Sequence, residues 1–281
     1  MFAMFCPEPE KKRGFFARRR FHKKGSRPAA EYIEEGKARY YIIRCEYCAG
    51  ELPFELIKEL AGREAGRLVV PEDFVFPENS GLAAFEPEMF FAKALYYSMF
   101  SVLKAANVPA SKIKLGIYDR QARMPETVLK LISIANELSV VTDRITRYDN
   151  VYNKALEEFG AAIKVTDDIH VLCGCNVVFV PFGGLPMMDW REKTVIFSLN
   201  NFFAGRHNTV LTCGEIALPG EYRHMVQPGF SPDIIAAALY ERCRVFSDDM
   251  LFPVRLSCRG EGVSFDRVLE TIKGCALEAR D

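Results

Sequence analysis

From Lys112 onward, short β-branched runs alternate with stretches whose apolar residues recur at helical spacing. "KIKLGIYD", "SVVTD", "AAIKVTDD", "CNVVFVPFGG", "KTVIFSL" and "NTVLTCGEIAL" are expected strands. Between and after them lie four expected helices. "PETVLKLISIANEL" has Pro125 suited to a first turn, and "YDNVYNKALEEFG" is closed by Gly160. "SPDIIAAALYERC" is capped by Ser231 with Pro232 behind it, and "SFDRVLETIKGCALEA" closes the chain. Strands separated by helices of this length pair in parallel through right-handed crossovers. The expected class is therefore α/β, a doubly wound and mostly parallel sheet.

The region before it has a different rhythm. "RYYIIRCEY" is an expected strand, and "LPFELIKELAG" a helix with Gly62 as its stop. "GRLVVPEDF" is a short strand ended by Pro71, and "MFFAKALYYSMFSVLKAA" is a long core helix. The expected organisation is a flexible tail over 1–29, a small α/β region over 30–110 and the doubly wound domain over 111–200. A C-terminal strand and helices over 201–281 would pack on that core. No internal repeat is visible.

Charge changes this picture only at the start. Formal net charge is zero, but residues 1–24 hold eight Lys/Arg against Glu8 and Glu10. The other 257 residues are mildly acidic, with 29 basic against 35 acidic side chains. A basic segment with Phe15, Phe16 and Phe21 has two readings. It is an arm that contacts nucleic acid or an anionic membrane through residues 11–24, or it is a solvated tail. No run approaches the roughly 20 apolar residues of a membrane span, and the start lacks a secretory pattern, so the cytoplasm is expected.

The layout resembles the shikimate dehydrogenase and glutamyl-tRNA reductase group within the Rossmann-like NAD(P)-binding superfamily. The likeness is clearest from Lys112 to Leu199. It implies NAD or NADP as cofactor and, for any reaction, nicotinamide-dependent oxidoreduction. Those families place a Thr or Arg cluster after the second strand, against the adenosine ribose or its 2′-phosphate. Here "VVTDRITRY" supplies Thr142, Arg144 and Arg147 at that point. "CNVVFVPFGG" matches their fourth strand, after which the nicotinamide lies.

The first loop departs from that group. In G-x-G-x-x-G, one Gly turns the chain, one admits the pyrophosphate and one packs the helix on the sheet. This chain has Gly116 inside the strand, followed by "IYDRQARMPE". Asp119 and Glu126 bring carboxylates to a place that would otherwise attract phosphate. Arg120 and Arg123 can offset them and hold an anion by side chain. The lysine and aspartate of the dehydrogenases and the cysteine nucleophile of the reductases have no match here, so the catalytic residues are unknown. A cleft, if formed, is expected to be bordered by Asp119, Arg120, Arg123, Thr142, Arg144, Gly183, Gly184 and Glu215, with a small anionic ligand or atypical nucleotide inside. A second polar cluster, Glu221, Tyr222, Arg223 and His224, lies in a later loop.

Nine cysteines, an odd number mostly within apolar stretches, fit a reducing compartment. Cys45 and Cys48 form one C-x-x-C, a pattern open to disulfide exchange, to half a zinc site completed by Cys173 and Cys175, or to ordinary packing. The oligomeric state has no sequence signal.

Overall fold

The computed structural model describes residues 1–9, 27–47, 52–191, 193–202, 204–205, 207–251 and 256–277. The chain divides into two compact units, residues 1–90 with 217–247, and residues 91–216 with 248–281. Residues 217–247, expected on the doubly wound core, thus belong with the N-terminal unit.

The first unit is built on a three-stranded sheet in the order β1-β3-β2, with β1 Phe2–Pro9, β2 Ala29–Glu35 and β3 Ala38–Tyr47. β1 runs parallel to β3, and β2 is antiparallel to it. β1 corrects the expected flexible tail: Phe2, Ala3, Met4 and Phe5 are all buried. Pro7 and Pro9 argue against a strand on composition alone. Phe5 N–H, however, donates away from β3, to Val69 O at 2.8 Å. Odd-numbered positions therefore direct their amides outward, and both prolines fall where β3 needs no donor. The basic segment 11–24 lies outside the described residues.

Helix α1 (Phe54–Ala61) ends at Gly62, whose φ of 54° lets the chain turn away. Ile57 and Ala61 pack with Phe5, Ile43 and Leu68 in this unit's core. "GRLVV" makes only bridges, Met4 to Val69 and Leu68 to Ala84, rather than a full strand. Helix α2 (Glu88–Ala106) runs on into the second unit.

The second unit carries an eight-stranded sheet. Its strands are β4 Lys114–Tyr118, β5 Glu137–Val141, β6 Ile163–Thr166, β7 Val177–Val180, β8 Val195–Ser198, β9 Thr209–Cys213, β10 Leu256–Cys258 and β11 Glu261–Val263. Their order is β11-β10-β9-β8-β7-β4-β5-β6. The six from β4 to β9 are parallel. In spatial order they read third, second, first, fourth, fifth and sixth, the Rossmann arrangement, with its switch point between β4 and β7. An unpredicted antiparallel hairpin, β10 with β11, extends the β9 side. It turns through Arg259 and Gly260, both at positive φ.

The expected helix after β4 is shorter than its pattern. α3 spans only Thr127–Leu131, because β5 already begins at Glu137. α4 (Asp149–Phe159) ends in the left-handed Gly160 as expected. α5 (Pro232–Ala238) is capped by the Ser231 hydroxyl and passes into a π-helical turn, Leu239–Cys243. α6 (Phe265–Leu277) is the last helix.

Gly116 has a packing role inside β4. A Cβ there would stand 2.6 Å from Leu172 Cδ2 and 3.0 Å from Cys175 Sγ. The 3₁₀ segment Ile169–Gly174 lies against the sheet at that point.

Candidate functional site

Ligands of open α/β sheets lie beyond the carboxyl ends of the strands, at the switch point. In this protein that edge is built around Asp119, the first residue after β4. Its side chain is buried, and its charge needs partners. Oδ1 accepts the backbone N–H of Arg123 at 2.9 Å, and Oδ2 that of Met124 at 2.8 Å. The Tyr148 hydroxyl donates to Oδ2 at 2.9 Å. Burial, and then the Asp119 charge, push the Tyr148 phenol well above its ordinary value of 10.0.

The amides of Arg123 and Met124 are the loop donors that a glycine-rich turn would aim at a pyrophosphate. Here the protein's own carboxylate takes them. A phosphate at the same place would meet that buried negative charge with little water between them. α3, with five residues, adds little helix dipole.

Thr142, just past β5, ties two loops together. Its hydroxyl donates to Arg120 O at 3.2 Å and accepts Arg144 N–H at 3.1 Å. Asp143 N–H also donates to Arg120 O, at 2.9 Å. The Arg120 guanidinium reaches Asp143 Oδ2 from Nε at 2.6 Å. That partner raises the Arg120 pKa further. Arg144 and Arg147 are exposed.

On the other side of the switch point, the Arg123 guanidinium lies 3.8 Å from the centroid of the Phe182 ring. This contact joins the loop after β4 to the loop after β7. Gly183, at φ 70°, follows directly, and its carbonyl accepts Asn200 Nδ2 at 2.9 Å. A Cβ at Gly183 or Gly184 would meet open space.

Of the eight expected border residues, Asp119, Arg120, Arg123, Thr142 and Arg144 come together at the ends of β4 and β5. Gly183 and Gly184 follow Phe182 in the loop after β7, on the other side of the switch point. Glu215 stands apart, two residues past β9 and three strand spacings from β4, roughly 14 Å. Sequence reasoning missed Tyr148, Phe182 and Asp143. The one available signal was an Asp set directly after an apolar strand, where a carboxylate entering the interior needs donors from elsewhere in the chain.

The cysteines do not assemble a metal centre among the described residues, where no group of three His, Cys, Asp or Glu side chains is placed to hold an ion. Cys45 is buried among Ala3, Phe5 and Ile43, with Sγ against Glu46 O. Cys48 lies outside the described residues. Cys175 belongs to the other unit, and burial pushes its thiol up to about 12. The Glu221–His224 cluster lies in the first unit, where His224 Nε2 pairs with Glu35 Oε2 at 2.6 Å. No helix among the described residues is long and apolar enough to cross a membrane.

No protein-family model and no curated protein sequence matches the chain. Solved structures similar to it include three chains. One is Thermococcus litoralis Δ1-pyrroline-2-carboxylate reductase, in complex with NADH and L-proline. It is 14% identical with a TM-score of 0.27, over 38% of this chain and 36% of that one. CmnK is 12% identical with a TM-score of 0.28, over 44% and 39%. A lysine cyclodeaminase is 12% identical with a TM-score of 0.30, over 72% and 62%. The chain thus spans between 36% and 62% of the length of these structures. The protein has a Rossmann-like fold. Strand order and direction carry that statement.

Proposed function

We propose that this Rossmann-like protein binds a small anionic ligand at the carboxyl edge of its eight-stranded sheet, gripped by arginine side chains rather than by loop amides. The observation that carries the reading is the Asp119 carboxylate on the amides of Arg123 and Met124. It removes the donors that hold a dinucleotide pyrophosphate, while Arg120, Arg123 and Arg144 keep positive charge beside the switch point. A guanidinium recognises phosphate or carboxylate in a planar, bidentate way and stays charged at all relevant pH values. Arg144, exposed at the end of β5, is the primary anion contact in this reading. The open space over Gly183 and Gly184 leaves room for the rest of the ligand.

The resemblance in layout to nicotinamide-dependent oxidoreductases makes NAD and NADP the competing ligands. Native mass spectrometry and isothermal titration of the reduced protein test the two against each other. NAD, NADP, their reduced forms, inorganic phosphate and a nucleoside monophosphate serve as probes. The expected result is saturable binding of a small anion, no retained dinucleotide, and at least about tenfold weaker anion binding in Arg144→Glu with an unchanged thermal transition. Saturable binding of any of the four dinucleotides overturns this reading in favour of an oxidoreductase. Indifference to every probe overturns it as well.

A further inference from the structure

Twelve large apolar side chains are exposed among the described residues, and four of them fall in one stretch: Ile145, Tyr152, Leu156 and Phe159, between 40% and 53% exposed. Tyr152, Leu156 and Phe159 are spaced i, i+4, i+7 along α4, so they form one stripe. Val151 and Ala155 turn the adjacent face of the helix into the core. Tyr152, the first residue of the stripe, also lines an open groove of about 360 Å³ between α4 and β6, where it and Ile145, Ile163 and Val165 meet Asp149 and Lys164. β6 ends the sheet, bonded to β5 on one side with no described strand on the other.

We infer that this groove is a two-fold interface, and that its occupant is a second copy of the same chain. The charge pattern singles out the copy. The groove carries one acid, Asp149, and one base, Lys164, both exposed. Under a two-fold axis each meets its opposite on the other copy, the self-complementarity that an isologous contact requires. Nucleic acid or an anionic membrane needs net positive charge, which this groove lacks. Two copies of β6 brought together by the same axis run antiparallel, so their open edges pair without rearrangement. The stripes of the two α4 helices then cover one another, which takes Tyr152, Leu156 and Phe159 out of water.

Sedimentation velocity on the full chain over a dilution series tests the inference. A dimer is expected, with Leu156→Glu and Phe159→Ser each raising its dissociation constant by about tenfold or more at unchanged circular dichroism. Asp149→Lys and Lys164→Asp are each expected to weaken the dimer, and the double exchange to restore it. The double exchange depends on charge alone and decides the matter if an apolar variant fails to fold. A chain that is monomeric at every concentration overturns the inference. So does a dimer indifferent to the stripe variants, or a double exchange no tighter than either single change.

Discussion

The Tyr148 hydroxyl donates to Asp119 Oδ2 at 2.9 Å, bridging 29 positions of sequence in the interior of the second unit. The same carboxylate orders the loop after β4, so one side chain serves as both loop cap and core acceptor. A hydrogen bond to a charged group contributes about 1.5–3 kcal/mol. Tyr148→Phe is expected to lower stability by that amount in urea titrations, and Asp119→Asn by a similar or larger one. The double variant should lose less than the sum, because both changes remove the same bond. Strict additivity would show that the pair does not interact.

Gly116→Ala is expected to destabilise the protein by about 1–3 kcal/mol. The added methyl would stand 2.6 Å from Leu172 Cδ2. Leu172 is itself fully buried in a packed interior, where moving it disturbs its neighbours. A less flexible unfolded chain returns only about 0.4–1 kcal/mol, so the sign is a net loss. The urea midpoint measures it, and Gly116→Ala should cost less in a Leu172→Ala background, where the tightest of its contacts is gone and Cys175 Sγ at 3.0 Å remains.

Phe182→Leu keeps apolar volume but removes the ring face beneath Arg123. A loss of about 0.5–1 kcal/mol is expected at this partly exposed site. Anion affinity should change as well, since the Arg123 guanidinium is then released from one wall of the crevice. Titration with inorganic phosphate in the variant measures that second effect.

Alkaline pH should weaken the fold before any backbone chemistry begins. Burial pushes the Cys6 thiol from 9.0 up to about 11, and those of Cys175 and Cys275 up to about 12. These groups stay protonated in the folded state and ionise in the unfolded one. Their contribution is therefore complete below pH 9.0 and is lost as pH rises through the folded values. Each thiol is worth on the order of 1 kcal/mol one pH unit above 9.0. Urea midpoints measured from pH 7 to 11 should fall over that window. Thiol labelling of these three cysteines at pH 8 should proceed only through unfolding, and rapid native-state labelling would contradict their placement.

Much of the fold was legible from residue pattern, because burial on both faces of a parallel strand leaves a continuous apolar run. "KIKLGIYD" and "CNVVFVPF" carry such runs, and Gly160 marks a helix end through a backbone angle that Gly adopts freely. The short α3 was not legible: Ile132 and Ile134 continue a helical spacing that the early start of β5 cuts off. β1 was hidden by its prolines, which are harmless only because Val69 rather than another strand lies on their side. β2, almost wholly exposed, had no apolar pattern to reveal it.

At the candidate site, the order of residues after β4 showed that the glycines of a phosphate loop are missing and that carboxylates and arginines stand in their place. Hydrophobic periodicity is a local property, so the alternation of strand and helix, and with it the doubly wound sheet, was determined by the sequence directly. Where the Asp119 charge goes was decided by the tertiary structure. Its partners are two amides set by the path of the next turn and a hydroxyl delivered by a crossover 29 residues later. The turn supplies the two amides, and the pairing of β4 with β5 brings the Tyr148 hydroxyl within 3 Å of the same carboxylate.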